Sequence, residues 1–325
     1  MWFVLVFFIC NDSWFGVLMP IDFYSQISRN KRNTIFLFLA FFILIGILAW
    51  IISYILEYFV GIGFIFIFSI FGILSIIFAI ASYYSCDSIV TAISGAKEAP
   101  REQYKQLYNI VEELSLASGL PLPRIFVIND TAINAFATGR NPQHSVVCVT
   151  IGALTRLSRD QLQGVLAHEL SHIRNYDIRT MTVATVLVGI AVLLSDLLLR
   201  FFWFGGARGG GNSDSKSGGI VIVMLVVGII LAIITPIIAQ LIQLSVSRKR
   251  EFMADAGSVE MTRNPEGLAS ALEVISKDKE PLEAANKATA HLYIADPLKG
   301  QKLWMSSLFS THPPIEERIK ILRGM

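Results

Sequence analysis

The amino-acid sequence predicts an α+β fold in which four membrane-embedded helices are combined with a polar part that carries a small β-sheet. Hydrophobic residues make up 54% of the chain and charged residues 16%, with a mean hydropathy of +0.58. A soluble domain has about 45–50% apolar and about 25% charged residues. The excess of apolar residues is concentrated in four long stretches, which predict the membrane helices. Three short segments between turn residues predict the strands, at 124–129, 134–139 and 145–150.

Each of the four apolar stretches is long enough to cross a bilayer as a helix, which takes about 20 apolar residues. They pair into two predicted hairpins, at 35–86 and 180–244. Basic clusters lie beside the first and last spans, at Arg29–Arg32 and Arg248–Arg250, and such clusters favour the cytoplasmic side. We therefore expect a multi-pass protein of the cell membrane. Its other parts are an N-terminal segment at 1–34 and cytosolic segments at 87–179 and 245–325.

The first twenty residues do not fit this plan. Residues Met1–Cys10 are apolar but end at the polar Asn11 and Asp12, and no basic residue precedes them as in a signal peptide. The amphipathic stretch that begins at Asp22 has the character of a chain start by itself. We hypothesise that residues 1–20 are not part of the native protein.

Charge and cysteine content exclude several classes of protein. The formal net charge is only +2, so nothing indicates a nucleic-acid partner. The three cysteines, Cys10, Cys86 and Cys148, are scattered and have no CxxC spacing. The sequence therefore predicts neither a disulfide framework nor a zinc site built from four cysteines. It gives no indication of the oligomeric state.

The cytosolic segment 87–179 predicts a helix, the three strands and a second helix. The first helix covers Arg101 to Ser118 and ends at Gly119. The second begins at Ser158, because Gln161 follows three residues later in a capping-box pattern. No helix breaker separates it from the third span, so we expect it to enter the membrane almost unbroken.

The second helix contains the pattern HExxH, formed by His168, Glu169 and His172. Residues i and i+4 share one face of a helix, so the two imidazoles can bind the same zinc ion. Glu169 comes directly after the first histidine, where it can reach a zinc-bound water and act as general base in attack on a carbonyl. The alternative is a chance occurrence of the pattern.

A catalytic zinc ion takes three protein ligands and keeps one position for water. The third ligand is predicted to be Glu251, which lies just after the fourth span, at a distance from the membrane similar to that of His172 before the third span. Asp255 is one helical turn further on and can hold a histidine N–H group, which fixes the tautomer. In the alternative interpretation, the two carboxylates pair with Arg248 or Lys249 on a solvated helix.

Together, "HELSH", the hairpin after it, "EFMAD", "NAFATG" and "STHPPIEERI" resemble the HtpX-type membrane zinc metalloproteases, which are relatives of the CAAX-prenyl endopeptidases. The resemblance covers the chain from about Asp22 to the C-terminus. It implies a gluzincin-like catalytic domain that faces the cytosol, with a single Zn²⁺ on His168, His172 and Glu251 and catalysis by Glu169. It also implies hydrolysis of misfolded or misassembled membrane proteins as quality control.

Two further motifs allow functional and structural interpretations. The strand with Asn134, Ala135 and Phe136 could leave its backbone edge open for an extended substrate, or it could be an ordinary strand with Phe136 in the core. His312 or Arg318 could stabilise the oxyanion opposite the zinc ion, or the segment could be a surface turn followed by a helix. Two other functions also stay open, a prenyl-protein-type endopeptidase with more spans and a non-catalytic, zinc-regulated membrane scaffold.

Overall fold

The part of the chain that follows the first hairpin folds as helices packed on one small sheet. The structure, a computed structural model, describes residues 23–61, 63–186, 248–283, 289–295 and 313–325. The elements before the second predicted hairpin are α1 Phe23–Val60, α2 Phe64–Tyr84, α3 Cys86–Ile93, β1 Lys97–Glu98, α4 Lys105–Ser118, β2 Arg124–Ile128, β3 Ala135–Asn141, β4 His144–Thr150, α5 Ile151–Arg156 and α6 Arg159–Arg174. Those after it are α7 Arg248–Thr262, α8 Pro265–Lys277, a 3₁₀ turn at Ala290–Leu292 and α9 Ile315–Leu322.

The first predicted hairpin, 35–86, coincides with α1 and α2, which pack against each other. Within the residues that the structure describes, no helix combines the length and the apolar character of a membrane span. Most of the second predicted hairpin, from 187 onward, lies outside the described residues, as do residues 1–22.

The sheet has four strands in the order β1-β2-β4-β3. Its three longer strands confirm the small sheet predicted from the sequence. Strand β4 pairs in parallel with β2 and antiparallel with β3, so that Phe126 and Phe136 both lie opposite Cys148. The short exposed strand β1 was not predicted, because two charged residues, Lys97 and Glu98, give no strand pattern. Strand β3 forms one edge of the sheet and faces α6.

Helix α6 lies at the centre of the polar part, between the sheet on one side and α4, α7 and α8 on the other. Ser158 caps its first turn, and Gln161 completes the predicted capping box. Residues Leu162–Ile173 are buried except for Gln163. The close approach of α8 requires Gly164, because a Cβ atom there would lie 2.6 Å from the backbone nitrogen of Leu268. A surface helix exposes one face to water, whereas α6 is enclosed along this whole stretch.

The prediction that α6 continues almost unbroken into the third span is wrong. The helix ends at Arg174, and Asn175 and Tyr176 form a turn before a new helical stretch begins at Asp177. Tyr176 has a φ of 59°, a left-handed conformation that is uncommon for residues other than glycine. No glycine or proline marks this break, so the sequence pattern did not reveal it. The predicted start of α4 is also too early, since residues 101–103 form a turn and the helix begins at Lys105.

Candidate metal centre

His168 and His172 lie on adjacent turns of α6, and both side chains are buried. Their Nε2 atoms are 3.2 Å apart. Glu251, on the first turn of α7, brings its carboxylate to 3.7 Å from Nε2 of His168 and 3.5 Å from Nε2 of His172. The three ligand atoms all lie within 4.8 Å of one another. The helices α6 and α7, which are distant in sequence, thus bring the three predicted ligands together.

The spacing of the three atoms fits a tetrahedral zinc ion. Ligand atoms about 2.0–2.1 Å from such an ion lie about 3.3 Å from one another, close to the distances in this cluster. Each histidine points its other ring nitrogen, Nδ1, at a carboxylate, which accepts but does not donate. Both Nδ1 atoms therefore carry hydrogen, and both Nε2 lone pairs point at the same place. A shared proton or a metal ion between the two Nε2 atoms would remove the repulsion of their lone pairs.

The pKa values of the two histidines agree with a shared proton in the metal-free chain. Burial lowers the pKa of His168 to about 4. Burial also lowers that of His172, but the hydrogen bond to Asp177 and the charge of Glu251 outweigh it and raise the pKa to about 9. At neutral pH the pair therefore carries one proton in addition to the two Nδ1 hydrogens, and this proton belongs to His172. Because a metal ligand must be deprotonated, metal binding displaces this proton.

Asp255, one turn beyond Glu251 on α7, holds the first histidine. Its Oδ1 atom lies 2.9 Å from Nδ1 of His168. The same carboxylate accepts two hydrogen bonds from Arg318 of α9, from Nε at 2.9 Å and from Nη2 at 2.7 Å. The Nη1 group of Arg318 donates to the carbonyl of Ile294 at 3.3 Å. The guanidinium is completely buried, so it lies behind the ligands as an anchor for Asp255.

The second histidine is held by Asp177, which sequence analysis did not identify. Nδ1 of His172 donates to Oδ2 of Asp177 at 3.0 Å. In a continuous helix, a residue five positions after His172 would point about 140° away from it, at 3.6 residues per turn. The turn at Tyr176 brings the carboxylate back to the ring. The only sequence signal was an aspartate shortly after the HExxH pattern, and it could be interpreted only once the break was known.

Glu169 lies between the metal cluster and the sheet. Its carboxylate is buried, and the backbone N–H of Ala137 in β3 acts on it to lower its pKa. Burial raises its pKa to about 7, although the charge of His172 opposes this. A carboxylate with a pKa near neutrality can both accept and return a proton at physiological pH, as a general base requires.

The edge of β3 at residues 134–136 is not open, contrary to the prediction of a substrate strand there. The carbonyl of Ala135 accepts a hydrogen bond from the backbone N–H of Ile294 at 3.0 Å. The side chain of Asn134 donates to the carbonyl of Ala295 at 3.1 Å. Phe136 is completely buried and packs edge-on against Tyr293, with ring centroids 4.9 Å apart. The alternative interpretation, in which Phe136 belongs to the core, therefore describes this strand. His312 lies outside the described residues.

The chain is similar to known proteases over most of its length. The sequence profile of peptidase family M48 matches residues 101–325. A protease HtpX homolog from Dictyoglomus turgidum is 43% identical over 310 residues, which cover 95% of this chain and 96% of that protein. A protease HtpX homolog from Streptococcus pneumoniae is 43% identical over 303 residues, which cover 93% of this chain and 99% of that protein.

One solved structure was also compared with the fold. The crystal structure of S. mikatae Ste24p superposes with a TM-score of 0.47 at 21% identity, covering 84% of this chain and 60% of that chain. The family assignment rests on the sequence matches, which confirm the resemblance inferred from the motifs. The chain belongs to peptidase family M48, as a metalloprotease similar to the HtpX homologs.

Proposed function

We propose that the protein is a membrane zinc endopeptidase in which His168, His172 and Glu251 bind a single Zn²⁺ and Glu169 is the catalytic base. The convergence of the three ligand atoms within 4.8 Å, in a buried cluster, is the observation that carries this proposal. It is supported by the separate carboxylate that fixes each histidine. A purely structural zinc site has four protein ligands, whereas only three such groups converge here among the described residues.

Bound zinc would supply a Lewis acid that polarises the scissile carbonyl and makes water a stronger nucleophile at neutral pH. The chain's own residues account for the remaining requirements. Glu169 takes a proton from the attacking water at its carboxylate and passes it to the amine that leaves. The Ala137 N–H group favours the charged form of this carboxylate. Asp255 and Asp177 keep the two imidazoles in the tautomer that presents Nε2 to the metal.

The proposed setting is the cell membrane, with spans at 35–86 and 180–244 and a catalytic site that faces the cytoplasm. Its support is the apolar pattern of the sequence and the surface of the first two helices. Large contiguous apolar surfaces on a protein are usually covered by a partner or by lipid. Side chains on α1 and α2 that are more than half exposed include Phe36 at 60%, Ile43 at 64%, Trp50 at 55%, Ile65 at 78% and Phe66 at 66%.

The proposed substrates are misfolded or misassembled membrane proteins. Because the cluster is buried, a scissile bond can reach it only in a segment that is locally unfolded. The N-terminal part of α1 contacts the helical stretch that begins at Asp177, so the site lies close to the proposed membrane helices. Unfolded chains near the bilayer surface would therefore reach it first.

The test is hydrolysis of casein, an unfolded protein, by the purified full chain and by the Glu169→Ala variant at equal zinc content. We expect the substitution to abolish cleavage, because it removes the proposed base while leaving the three ligands. The control is Glu260→Ala, which removes an exposed carboxylate that pairs with Arg174 and should cleave at the wild-type rate. Equal cleavage by wild type and Glu169→Ala, with zinc bound in both, would refute the proposal.

A further inference from the structure

The N-terminal part of α1 is attached to the break that follows α6. The side-chain amide of Asn30 donates to the carbonyl of Asn175 at 2.9 Å and to Oδ1 of Asp177 at 2.7 Å. The next residue, Lys31, places its ammonium group 4.8 Å from the ring centroid of Tyr176. Two consecutive residues of α1 thus contact both residues of the turn, 175 and 176, and Asp177, the first residue of the next helical stretch. Asn30 is 1% exposed, so its contacts are shielded from water.

A second set of contacts lies one turn further along α1. The hydroxyls of Thr34 and Thr180 are 3.3 Å apart, and Thr180 also donates to the carbonyl of Asn30 at 3.3 Å. Both threonines are buried. These contacts join the same two helices as Asn30 does, but they do not touch a carboxylate. They therefore provide an internal comparison for the role of Asn30.

Asp177 connects the Asn30 contact to the metal cluster. Its Oδ2 atom accepts from Nδ1 of His172 at 3.0 Å, and its Oδ1 atom accepts from Nδ2 of Asn30 at 2.7 Å. The two oxygens belong to one rigid plane, so a partner on one oxygen limits how the other can turn. Within the described part of the chain, the nearest cationic group is Nη1 of Arg250, 3.8 Å from Oδ1, which is too far for a hydrogen bond. The short contact from Asn30 is therefore the one that fixes the plane of the carboxylate on the side of α1.

We propose that Asn30 is a positioning residue of the metal site, which acts through Asp177 on the ring of His172. Docking of α1 then sets the affinity of the site for zinc, and the N-terminal helix becomes part of the catalytic unit. The inference depends on the proposed zinc site and assigns this role to a residue 138 positions before the first ligand in the sequence. Residues that hold a metal-binding histidine through a hydrogen bond commonly change metal affinity by about 10–100-fold when they are replaced.

The experiment compares zinc affinity in the full chain, with Asn30→Ala and Thr34→Val as matched variants of the same helix contact. Zinc is titrated against a chromophoric chelator, which gives a Kd without any measurement of proteolysis. We expect Asn30→Ala to weaken zinc binding by about tenfold, at the lower end of the usual range because Asn30 acts through Asp177. Thr34→Val should keep the wild-type Kd. The absorption spectrum of bound Co²⁺ should change only in Asn30→Ala, since the ring of His172 loses its fixed orientation.

The zinc affinities of the wild type and the variants decide whether Asn30 positions the metal site. Wild-type affinity in Asn30→Ala would overturn the inference, and so would an equal loss in both variants, which would indicate general packing of α1. Failure of the wild type to bind zinc would instead refute the proposed function itself. If Asn30→Ala does not fold, Asn30→Ser takes its place, because the serine hydroxyl is too short to reach Asp177 from the same backbone position. A wild-type Kd for Asn30→Ser would overturn the inference in the same way.

Discussion

Two arginines near the C-terminus have similar carboxylate partners in different surroundings, and this allows a controlled prediction. Arg318 is completely buried and holds Asp255 with two hydrogen bonds of 2.9 and 2.7 Å. Arg323 holds Glu266 with two hydrogen bonds of 3.1 and 2.9 Å, but its side chain is 44% exposed. The perturbations are Arg318→Met and Arg323→Met, which remove the charge and keep an unbranched apolar side chain.

The expected magnitudes differ because only the first change leaves a buried charge behind. Without Arg318, the buried Asp255 carboxylate keeps only the His168 N–H as a partner among the residues that the structure describes, and breaking a buried ion pair in this way costs about 3–5 kcal/mol. We therefore expect the midpoint of thermal unfolding to fall on the order of 5–10 °C. Loss of Arg323 leaves two exposed carboxylates, those of Glu266 and Glu273. Water solvates both, so the midpoint should hardly move.

The assay is thermal unfolding of the metal-free proteins, followed by circular dichroism. Removing the metal first separates the buried charge from any change in zinc binding. Zinc titration of the same samples should then show a weaker Kd for Arg318→Met alone, by about 10–100-fold, because Asp255 no longer holds His168 firmly. Equal shifts in the unfolding midpoint for the two variants would show that burial of the Arg318 pair has been misjudged.

Three further predictions concern pH, packing and metal removal. Burial raises the pKa of Glu169 from 4.5 to about 7. The metal-free protein therefore loses free energy of unfolding as the pH rises through this range, because the carboxyl group ionises more readily in the unfolded chain. Glu169→Gln should have the wild-type free energy of unfolding at pH 4.5 and one that is about 3 kcal/mol larger than that of wild type at pH 8. Gly164→Ala should lower the unfolding midpoint, because its Cβ would meet the Leu268 backbone, whereas Gly72→Ala, with no atom within 4 Å, should not. Zinc at 100 times its Kd should stabilise the protein by about 2.7 kcal/mol over the chelated form, as measured by thermal unfolding.

The sequence predicted the parts of the site that depend on local periodicity. His168 and His172 share a helix face because of their spacing, and the capping box fixed where that helix begins. Glu251 could be chosen among several glutamates because it follows the second hairpin at about the same distance as His172 precedes it. In the structure the three side chains meet, although a sequence pattern alone measures no distance between helices.

Contacts between distant segments could not be predicted in this way. The role of Asp177 depends on a left-handed Tyr176, and no glycine or proline announced that conformation. The prediction of an open edge on β3 was wrong because the backbone N–H of Ile294 donates to the carbonyl of Ala135. The segment that contains Ile294 has no strand pattern in the sequence. Arg318 was considered as a group that faces the substrate, but its burial behind Asp255 depends on how α9 packs. Each of these features is decided by tertiary packing.

The most direct test of the proposed centre is X-ray absorption at the zinc edge of the purified full chain. We expect zinc bound only by nitrogen and oxygen at about 2.0–2.2 Å, with outer-shell scattering from two imidazoles. In Glu251→Ala we expect loss of one oxygen ligand or of the metal. A sulfur neighbour at about 2.3 Å, or an unchanged zinc environment in Glu251→Ala, would contradict the proposed centre.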